Sequence, residues 1–469
     1  MEYKLLTGGI LLFISLFSIR LSKKVQVPLL IMFLFIGILA GSEGIGGIYF
    51  DDAELTQQIG NFALLFILFS SALETKKEDA LSALYPSGIL ATLGVFLTTI
   101  FAAFFTFILT DFSFKEALLF GAIVSSTDAA AVVSVLGDSK LKKRVKTVIE
   151  IESGSNDPMA YALILFIISM FKADGLSIAG GIFFLIKQLV IGGVLGIAFG
   201  KATIPIGKFL RIERAEFLTI HLMAFLFICF SFTNILGGNG FLAIYLMGIL
   251  VGNERFEFKM NSFRNMRVLS WLMQIIMFVL LGLLVFPSQL GKVVISGSIL
   301  AILITLVSRT AVVFLLLEKF NYNLKEKFFI SWAGLKGAVP IIFSTMAITE
   351  GIRKSQSIFN MVFYIVVFSV IIQGMTLKPL AKFLNLFEEG EDDETTEIDL
   401  EELEELSIKK LYIDKNSEYV DKAIKDLSLP RSMHIISIRR GNQDIIPRGD
   451  VVLRAGDRLG MDPRALYVQ

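Results

Sequence analysis

The chain repeatedly runs for about 20 residues through Leu, Ile, Val, Phe, Ala and Gly before it reaches a charged loop. A helix of that length spans the hydrocarbon core of a bilayer, and about 13 such stretches can be marked along the chain. Gly and Pro occur inside several of them, which neighbouring helices tolerate in a membrane. The composition agrees, since 54% of the 469 residues are hydrophobic. The sequence therefore predicts an all-α polytopic membrane protein.

The loops between these stretches differ in their basic residues. Alternate loops on one side, such as "SKLKKRVK", carry about 21 Lys or Arg, against about 5 on the other side. Loops rich in Lys and Arg remain in the cytoplasm. An odd number of crossings then predicts an N-terminus outside the cell and a C-terminus inside it.

The composition changes after Phe387. We interpret residues 1–387 as the transmembrane domain, the acidic run at 388–404 as a solvated linker, and 405–469 as a small cytoplasmic domain. Alternation in "HIISIRR" and the turn residues "GNQ" predict short strands, and "YVDKAIKDL" predicts one helix among them. The tail is therefore expected to be a small α+β domain.

Polar and charged residues inside the apolar stretches are the strongest indication of function. A charged group at membrane depth costs a few kcal/mol, and such groups mark ion or substrate pathways. The chain has them in the fifth, sixth, eleventh and twelfth stretches, namely Thr127, Asp128, Glu152, Ser153, Asn156, Asp157, Arg309 and Lys336.

The sixth stretch, "IESGSNDPMA", has the residues of a cation site. Pro158 lacks an N–H and leaves the carbonyl near Gly154 without its helical partner. Asp157 supplies charge, while Asn156, Ser153 and freed carbonyls supply the neutral oxygens that a hard cation prefers. The same carboxylate can hold a proton instead, so cation and proton would compete for one site.

The fifth and twelfth stretches are both interrupted, by "STDAAA" and by "GLKGAVP". They occupy corresponding places in two sets of six stretches, one to six and eight to thirteen. Interrupted segments at matching places predict inverted repeats with a site near the membrane midplane. The facing helix ends would carry dipole charges, which Asp128 and Lys336 would offset.

These motifs resemble those of the monovalent cation:proton antiporters, in the prokaryotic sodium- or potassium-proton exchanger branch with an Asn-Asp pair. "STDAAAV" is similar to the Thr-Asp motif of the unwound fifth helix, and "ESGSNDPMA" to the Glu-Ser-x-x-Asn-Asp motif of the sixth. "SRTAVV" resembles the buried arginine motif, and "GLKGAVP" the Gly-Leu-Arg/Lys-Gly-Ala crossing. The resemblance covers about residues 5–385. Ala129 and Lys336 depart from it, since the family more often has Pro and Arg there.

The resemblance implies a role for each of these residues. Asp157 would carry the ion or proton, with Asp128, Thr127, Ser153 and Asn156 forming the rest of the site. Glu152 would pair with Arg309, close to Asn156. Lys336 would be the charge at the crossing. Glu74 falls where the family often has an accessory acid. The resemblance also implies a homodimer in the bacterial inner membrane, with no resident cofactor and no nucleic-acid partner.

The tail resembles the TrkA-C regulatory domain of potassium-uptake and potassium-channel proteins through "LSLPRSMHIISIRRGNQDIIPRGDVVLRAGDRL", although "GMDPRALYVQ" departs from the pattern. This favours K⁺ over Na⁺ as the exchanged cation. It also implies a small-molecule ligand for the tail, for which a nucleotide such as cyclic di-AMP is a candidate.

Other functions are less well supported. A cation channel or uniporter regulated by the same tail is the alternative, but no selectivity-filter sequence is present. "FGKAT" lacks the Ser or Thr of a phosphate-binding loop, which argues against an ATP-driven pump. Asp128 and Asp157 could form the dyad of an intramembrane protease, but nothing else indicates an enzyme. We therefore expect alternating-access antiport. It should be electroneutral, because the neighbour of Asp157 is the neutral Asn156.

Overall fold

The computed structural model describes residues 2–25, 28–136, 141–172, 178–212, 214–387, 409–413, 417, 419–427, 434–440 and 443–462. The chain divides into two compact units, Met1–Glu388 and Glu389–Gln469. The acidic linker expected at 388–404 lies outside the described residues.

The described part of the first unit is built from α-helices. They are α1 Glu2–Val25, α2 Leu29–Ala40, α3 Ala53–Glu74, α4 Lys77–Ile89, α5 Val95–Leu109, α6 Phe114–Ile123, α7 Ala129–Leu136, α8 Lys143–Lys172, α9 Ile178–Phe209, α10 Ala215–Ile235, α11 Gly240–Gly252, α12 Lys259–Leu283, α13 Pro287–Leu290, α14 Val294–Ile302, α15 Thr310–Leu316, α16 Leu324–Trp332, α17 Ala338–Thr349 and α18 Ser355–Phe383. Within the described residues, 8 helical segments are long and apolar enough to cross a membrane, and 4 more apolar helices are shorter. The expectation of a mostly helical membrane protein is confirmed.

Two pairs of short helices are each separated by five residues that are not helical. The break at 124–128 separates α6 from α7, and the break at 333–337 separates α16 from α17. The first helix of each pair begins with the same device, a capping box, formed by Ser113 with Glu116 before α6 and by Asn323 with Glu326 before α16. In each box the side chain of each of the two residues accepts a hydrogen bond from the backbone N–H of the other, which fixes where the helix starts.

Two other long helical segments contain a wider turn. A π-helical turn at Leu90–Gly94 joins α4 to α5, and another at Leu303–Arg309 joins α14 to α15. Such turns contain an extra residue and are frequent at functional sites. The second one ends at Arg309, one of the buried charges.

Glycines allow some of these helices to approach each other closely. A Cβ added at Gly37 in α2 would lie 2.2 Å from the carbonyl oxygen of Val279, and one at Gly282 in α12 would lie 2.2 Å from that of Leu34. Small residues at such contacts are typical of helix pairs in membranes. Cys229 is fully buried in α10.

The second unit contains a four-stranded antiparallel sheet. Its strands are β1 Lys409–Tyr412, β2 His434–Arg440, β3 Gln443–Ile445 and β4 Arg458–Asp462, in the order β1-β4-β2-β3. Among its described residues, the buried hydrophobic cluster consists of Ile413, Ile438, Leu453 and Leu459.

The helix expected at "YVDKAIKDL" is wrong, because residues 419–427 form turns and a single 3-10 turn, Ile424–Asp426. The backbone of this segment is bonded to residues 449–453 instead. Ile424 N–H donates to the Val451 carbonyl at 3.0 Å, and Leu453 N–H donates to the Lys422 carbonyl at 3.0 Å. These bonds between distant residues replace the local bonds of a helix.

Candidate functional site

The two helix breaks meet each other. The backbone N–H of Asp128 donates to the carbonyl of Leu335 at 2.8 Å. The approach requires a glycine, because a Cβ added at Gly337 would lie 2.0 Å from Oδ2 of Asp128. Gly337, the second glycine of "GLKGAVP", is therefore what allows the two interrupted helices to cross.

Two charged side chains sit at the helix ends of this crossing. Asp128 Oδ1 accepts a hydrogen bond from the N–H of Ala131 at 3.2 Å, in the first turn of α7. The buried ammonium of Lys336 donates to the carbonyl of Ser126 at 3.1 Å, just after α6 ends. The carboxylate of Asp128 thus lies at the positive N-terminal end of α7, and the ammonium of Lys336 lies near carbonyls beyond the negative C-terminal end of α6. The helix dipoles favour both arrangements.

A polar network fixes the break at 124–128 against α8. The amide nitrogen of Asn156 donates to Thr127 Oγ1 at 2.6 Å, and the Ser153 hydroxyl donates to the Thr127 carbonyl at 2.9 Å. The two hydroxyls lie 3.0 Å apart, and the backbone N–H of Thr127 contacts Asn156 Oδ1 at 3.4 Å. The side chains of Asn156 and Ser153 therefore hold the unwound backbone of Thr127.

Asp157 is buried beside this network with part of its hydrogen-bonding capacity unused. It is only 7% exposed, and α8 continues as a helix through Pro158. Among the described residues, its Oδ1 makes no hydrogen bond of ordinary length, and the buried hydroxyl of Ser126 is the polar side chain beside this carboxyl. Asp128 and Lys336 are the charged groups that act on the Asp157 carboxyl. A buried oxygen without a partner is costly, so this position is suited to receive a cation or a proton.

Glu152 and Arg309 form a buried two-pronged ion pair. One guanidinium nitrogen donates to Oε2 of Glu152 at 2.7 Å, and another lies 2.6 Å from Oε1. Both side chains are almost fully buried, so neither charge has water to stabilise it. The pair joins α8 to the end of the π-helical turn. Asn156, expected close to this pair, is hydrogen-bonded through its side chain to Thr127, in the break of the fifth stretch.

Glu74 lies elsewhere. It is the last residue of α3, and its Oε1 accepts from Nε of Arg267 at 2.9 Å. Both side chains are about half exposed, at 50% and 57%. The structure thus gives Glu74 a surface ion pair.

Several residues around the site were not singled out by the sequence. The amide of Asn239 donates to the carbonyl of Pro158 at 2.7 Å, directly after Asp157 in the chain. The Ser369 hydroxyl receives the backbone N–H of Lys336 at 3.1 Å and bonds to Gln373. These polar residues lie in α18 and in the turn before α11, and they belong to no recognisable motif. Only their position within apolar sequence could have indicated them.

An all-helical membrane domain in which two interrupted helices cross is an architecture of secondary transporters. Residues 10–383 match the family of transmembrane sodium/hydrogen exchangers. The chain therefore belongs to the sodium/hydrogen exchanger family, and it is a cation:proton exchanger and not an enzyme. Residues 410–461 match the TrkA-C domain.

Curated relatives cover most of the chain. The K(+)/H(+) antiporter NhaP of Alkalimonas amylolytica is 34% identical over 458 residues, which are 97% of this chain and 80% of the relative. The K(+)/H(+) antiporter NhaP2 of Shewanella oneidensis is 33% identical over 459 residues, with the same shares of the two chains. The Na(+)/H(+) antiporter NhaH of Halobacillus aidingensis is 24% identical over 401 residues, or 80% of this chain and 97% of the relative.

The fold also matches a solved structure. The sodium proton antiporter MjNhaP1 from Methanocaldococcus jannaschii superimposes with a TM-score of 0.70 and 21% identity, over 82% of this chain and 99% of that one. At this identity the match concerns the fold alone.

Proposed function

We propose that Asp157 is the group that binds the transported cation and proton in turn, and that exchange proceeds by alternating access. The observation that carries this is the buried Asp157 oxygen, which makes no hydrogen bond of ordinary length to any described residue, next to the crossing of two interrupted helices. The buried Ser126 hydroxyl, which lies beside the same carboxyl, offers a second oxygen there. Thr127, Ser153 and Asn156 shape the site, and an alkali cation would take such oxygen ligands.

The test of this function is a transport assay in proteoliposomes that contain a pH-sensitive dye. A cation added outside should move protons across the membrane without any nucleotide, and an inward or outward pH gradient should drive the cation the other way. In a channel or uniporter the cation moves alone, and protons follow only because of the membrane potential that it creates. Proton movement would therefore stop when the membrane potential is clamped.

We propose K⁺ as the favoured cation, with Na⁺ as the alternative. Two relatives that match over nearly the whole chain are K(+)/H(+) antiporters, and both matches extend through the tail. The relative NhaH and the structural neighbour are sodium antiporters, but their similarity is lower. Adding K⁺, Na⁺ and Li⁺ in turn to the same proteoliposomes ranks the three cations.

We propose about 13 membrane crossings arranged as two inverted repeats of six. Two independent features recur at matching places and support this arrangement. The fourth crossing, α4 with α5, contains the π-helical turn Leu90–Gly94, and the eleventh, α14 with α15, contains the π-helical turn Leu303–Arg309. The fifth and twelfth crossings start with a capping box and break after 10 and 9 helical residues, respectively.

The proposed orientation has the N-terminus outside the cell and the tail in the cytoplasm, with the protein in the bacterial inner membrane. It rests on the distribution of Lys and Arg among the loops. A Lys142→Cys variant tests it, with the buried Cys229 replaced by Ser. A membrane-impermeant thiol reagent should fail to label this cysteine in right-side-out vesicles and should label it in inverted ones.

We propose that the tail regulates exchange as a dimeric ligand sensor, within a homodimer of the whole chain. The TrkA-C match supports a regulatory role, and cyclic di-AMP is the first ligand to test. Truncation after residue 390 should leave exchange intact and remove any response to the ligand. Loss of exchange in a folded truncated protein would show that the tail takes part in transport itself.

A further inference from the structure

A cavity of about 480 Å³ lies where α9 ends, α10 begins and the loop before α12 passes. The residues that line it are Ile204, Gly207, Lys208, Arg211, Ile212, Leu218, Arg255, Phe256 and Glu257. The volume is in the range of cavities that hold small molecules. These residues are distant from Asp157 in sequence, and none of them belongs to the candidate ion site.

The cavity has an excess of positive charge. Lys208, Arg211 and Arg255 line it, against the single carboxylate of Glu257. Within the described residues, none of these three cations forms an ion pair with a carboxylate. A cluster of unneutralised cations favours an anion, and guanidinium groups suit a phosphate in particular.

The surroundings of the cavity are apolar and face outward. Ile204 and Leu218 are buried in its wall, at 4% and 7% exposure. Phe209, which follows Lys208, and Phe217, which precedes Leu218, are 86% and 55% exposed. Exposed Phe side chains beside basic residues suit a surface that lipid covers. The ligand is therefore expected to have an anionic head and an apolar body.

We propose that this cavity binds the phosphate of an anionic glycerophospholipid, with the acyl chains lying along the exposed face of α9 and α10. Lys208, Arg211 and Arg255 contact the phosphate. The cavity is on the side of the membrane with the Lys- and Arg-rich loops, where basic pockets between helices bind anionic head groups. The proposal concerns lipid binding and does not depend on which cation is exchanged.

The test uses the purified full-length chain in neutral detergent, with phosphatidylglycerol or phosphatidylcholine added in increasing amounts. Thermal melting and native mass spectrometry measure the binding. Phosphatidylglycerol should raise the melting temperature and remain bound, while phosphatidylcholine should do neither. The triple variant K208Q/R211Q/R255Q should lose apparent affinity for phosphatidylglycerol by on the order of a hundredfold, since each surface cation contributes about a factor of five.

A matched triple variant, K319Q/K325Q/K382Q, removes the same charge from exposed lysines outside the cavity. It should bind phosphatidylglycerol like the parent. Equal loss in both triple variants would overturn the proposal, because the attraction would then be general. If a large excess of inorganic phosphate stabilises the parent as phosphatidylglycerol does, the ligand is a soluble phosphate and not a lipid.

Exchange measured in phosphatidylcholine proteoliposomes checks that the cavity variant is folded and keeps the two proposals separate. Should the triple variant fail to fold, Arg255→Gln alone carries the test, with an expected loss of about fivefold. Unchanged phosphatidylglycerol binding by that variant would contradict the proposal.

Discussion

The backbone N–H of Asp128 and the carbonyl of Leu335 share a hydrogen bond of 2.8 Å, although 207 positions separate these residues in the sequence. The bond joins the break of one interrupted helix to the break of the other. Each break exposes backbone groups that a regular helix would satisfy. Because the two breaks satisfy one another, the crossing forms only when both halves of the membrane domain are assembled.

Asp157→Asn should abolish exchange and leave the fold intact. The substitution keeps the shape of the side chain but removes the charge that binds a cation and the site that accepts a proton. Glu150→Gln, two turns earlier in the same helix α8, is the matched control and should exchange normally. Proton movement in proteoliposomes and thermal melting check both variants. Full exchange by Asp157→Asn would exclude this aspartate as the carrier.

Exchange should be electroneutral. Asn156 is neutral and its side chain bonds to Thr127, so Asp157 is the one carboxylate of the pair that can hold a cation or a proton. A single carboxylate exchanges the two one for one. Measurements on a solid-supported membrane should show no current that scales with turnover. The apparent cation affinity should also fall in acid, because protons compete for the same oxygen atoms. A turnover-dependent current would mean that a second charged group participates.

Removing one partner of the Glu152–Arg309 pair should strongly destabilise the protein. Glu152→Gln would leave a buried guanidinium without its counter-charge, at a cost of roughly 3–5 kcal/mol. Glu74→Gln breaks the exposed pair with Arg267 and should cost about 1 kcal/mol or less. Thermal melting of the two variants in the same detergent makes the comparison. Equal melting temperatures would contradict a stabilising role for the buried pair.

Gly337→Ala should damage both stability and exchange. The added methyl would collide with Asp128, whose Oδ2 would lie 2.0 Å from it, and the crossing would have to open. Overpacking of this kind costs about 1–3 kcal/mol or more. Gly88→Ala in α4 is the control, since a Cβ there meets nothing within 4 Å. The control should melt at or above the parent temperature, because Ala favours a helix more than Gly does.

The tail should lose stability in acid through Asp457. This buried carboxylate accepts from Nε and a terminal nitrogen of Arg440 at 2.8 and 2.9 Å, and these bonds lower the pKa of Asp457 below its ordinary value of 3.8. A carboxyl group whose pKa is lower in the folded state than in the unfolded state stabilises the fold at any pH above the unfolded pKa. This stabilisation is lost as the pH falls through the folded pKa. Stability from this group should therefore be constant at neutral pH and fall only below about pH 4.

Limited pepsin digestion of the full-length protein measures this effect across the acid range. In the Asp457→Asn variant, pepsin should cleave within β2 and β4 at a higher pH of this range than it does in the parent protein. Asp450→Asn, at an exposed position of the same domain, should digest like the parent. Identical digestion of all three proteins would contradict the prediction.

The sequence predicted the helix breaks because Gly, Pro, Ser and Thr weaken a helix locally. It also predicted that the buried charges lie near one another. It did not predict which oxygen atoms remain free, since that depends on how α8 is rotated toward Thr127. Asn239 was missed because its bond to Pro158 spans 81 positions. The tail helix was wrong for a similar reason, since pairing with residues 449–453 overrides the local pattern.

The π-helical turn at Leu90–Gly94 has a consequence for how the membrane domain tolerates changes in length. Such a turn holds one residue more than an α-helical turn, so a chain shortened by one residue there can close into a regular helix. The helices on either side would keep their facing. The same deletion inside the uninterrupted α9 would rotate every following residue by about 100° and turn lipid-facing side chains inward. Insertions and deletions during evolution should therefore collect at the π-helical turns and be rare in α9.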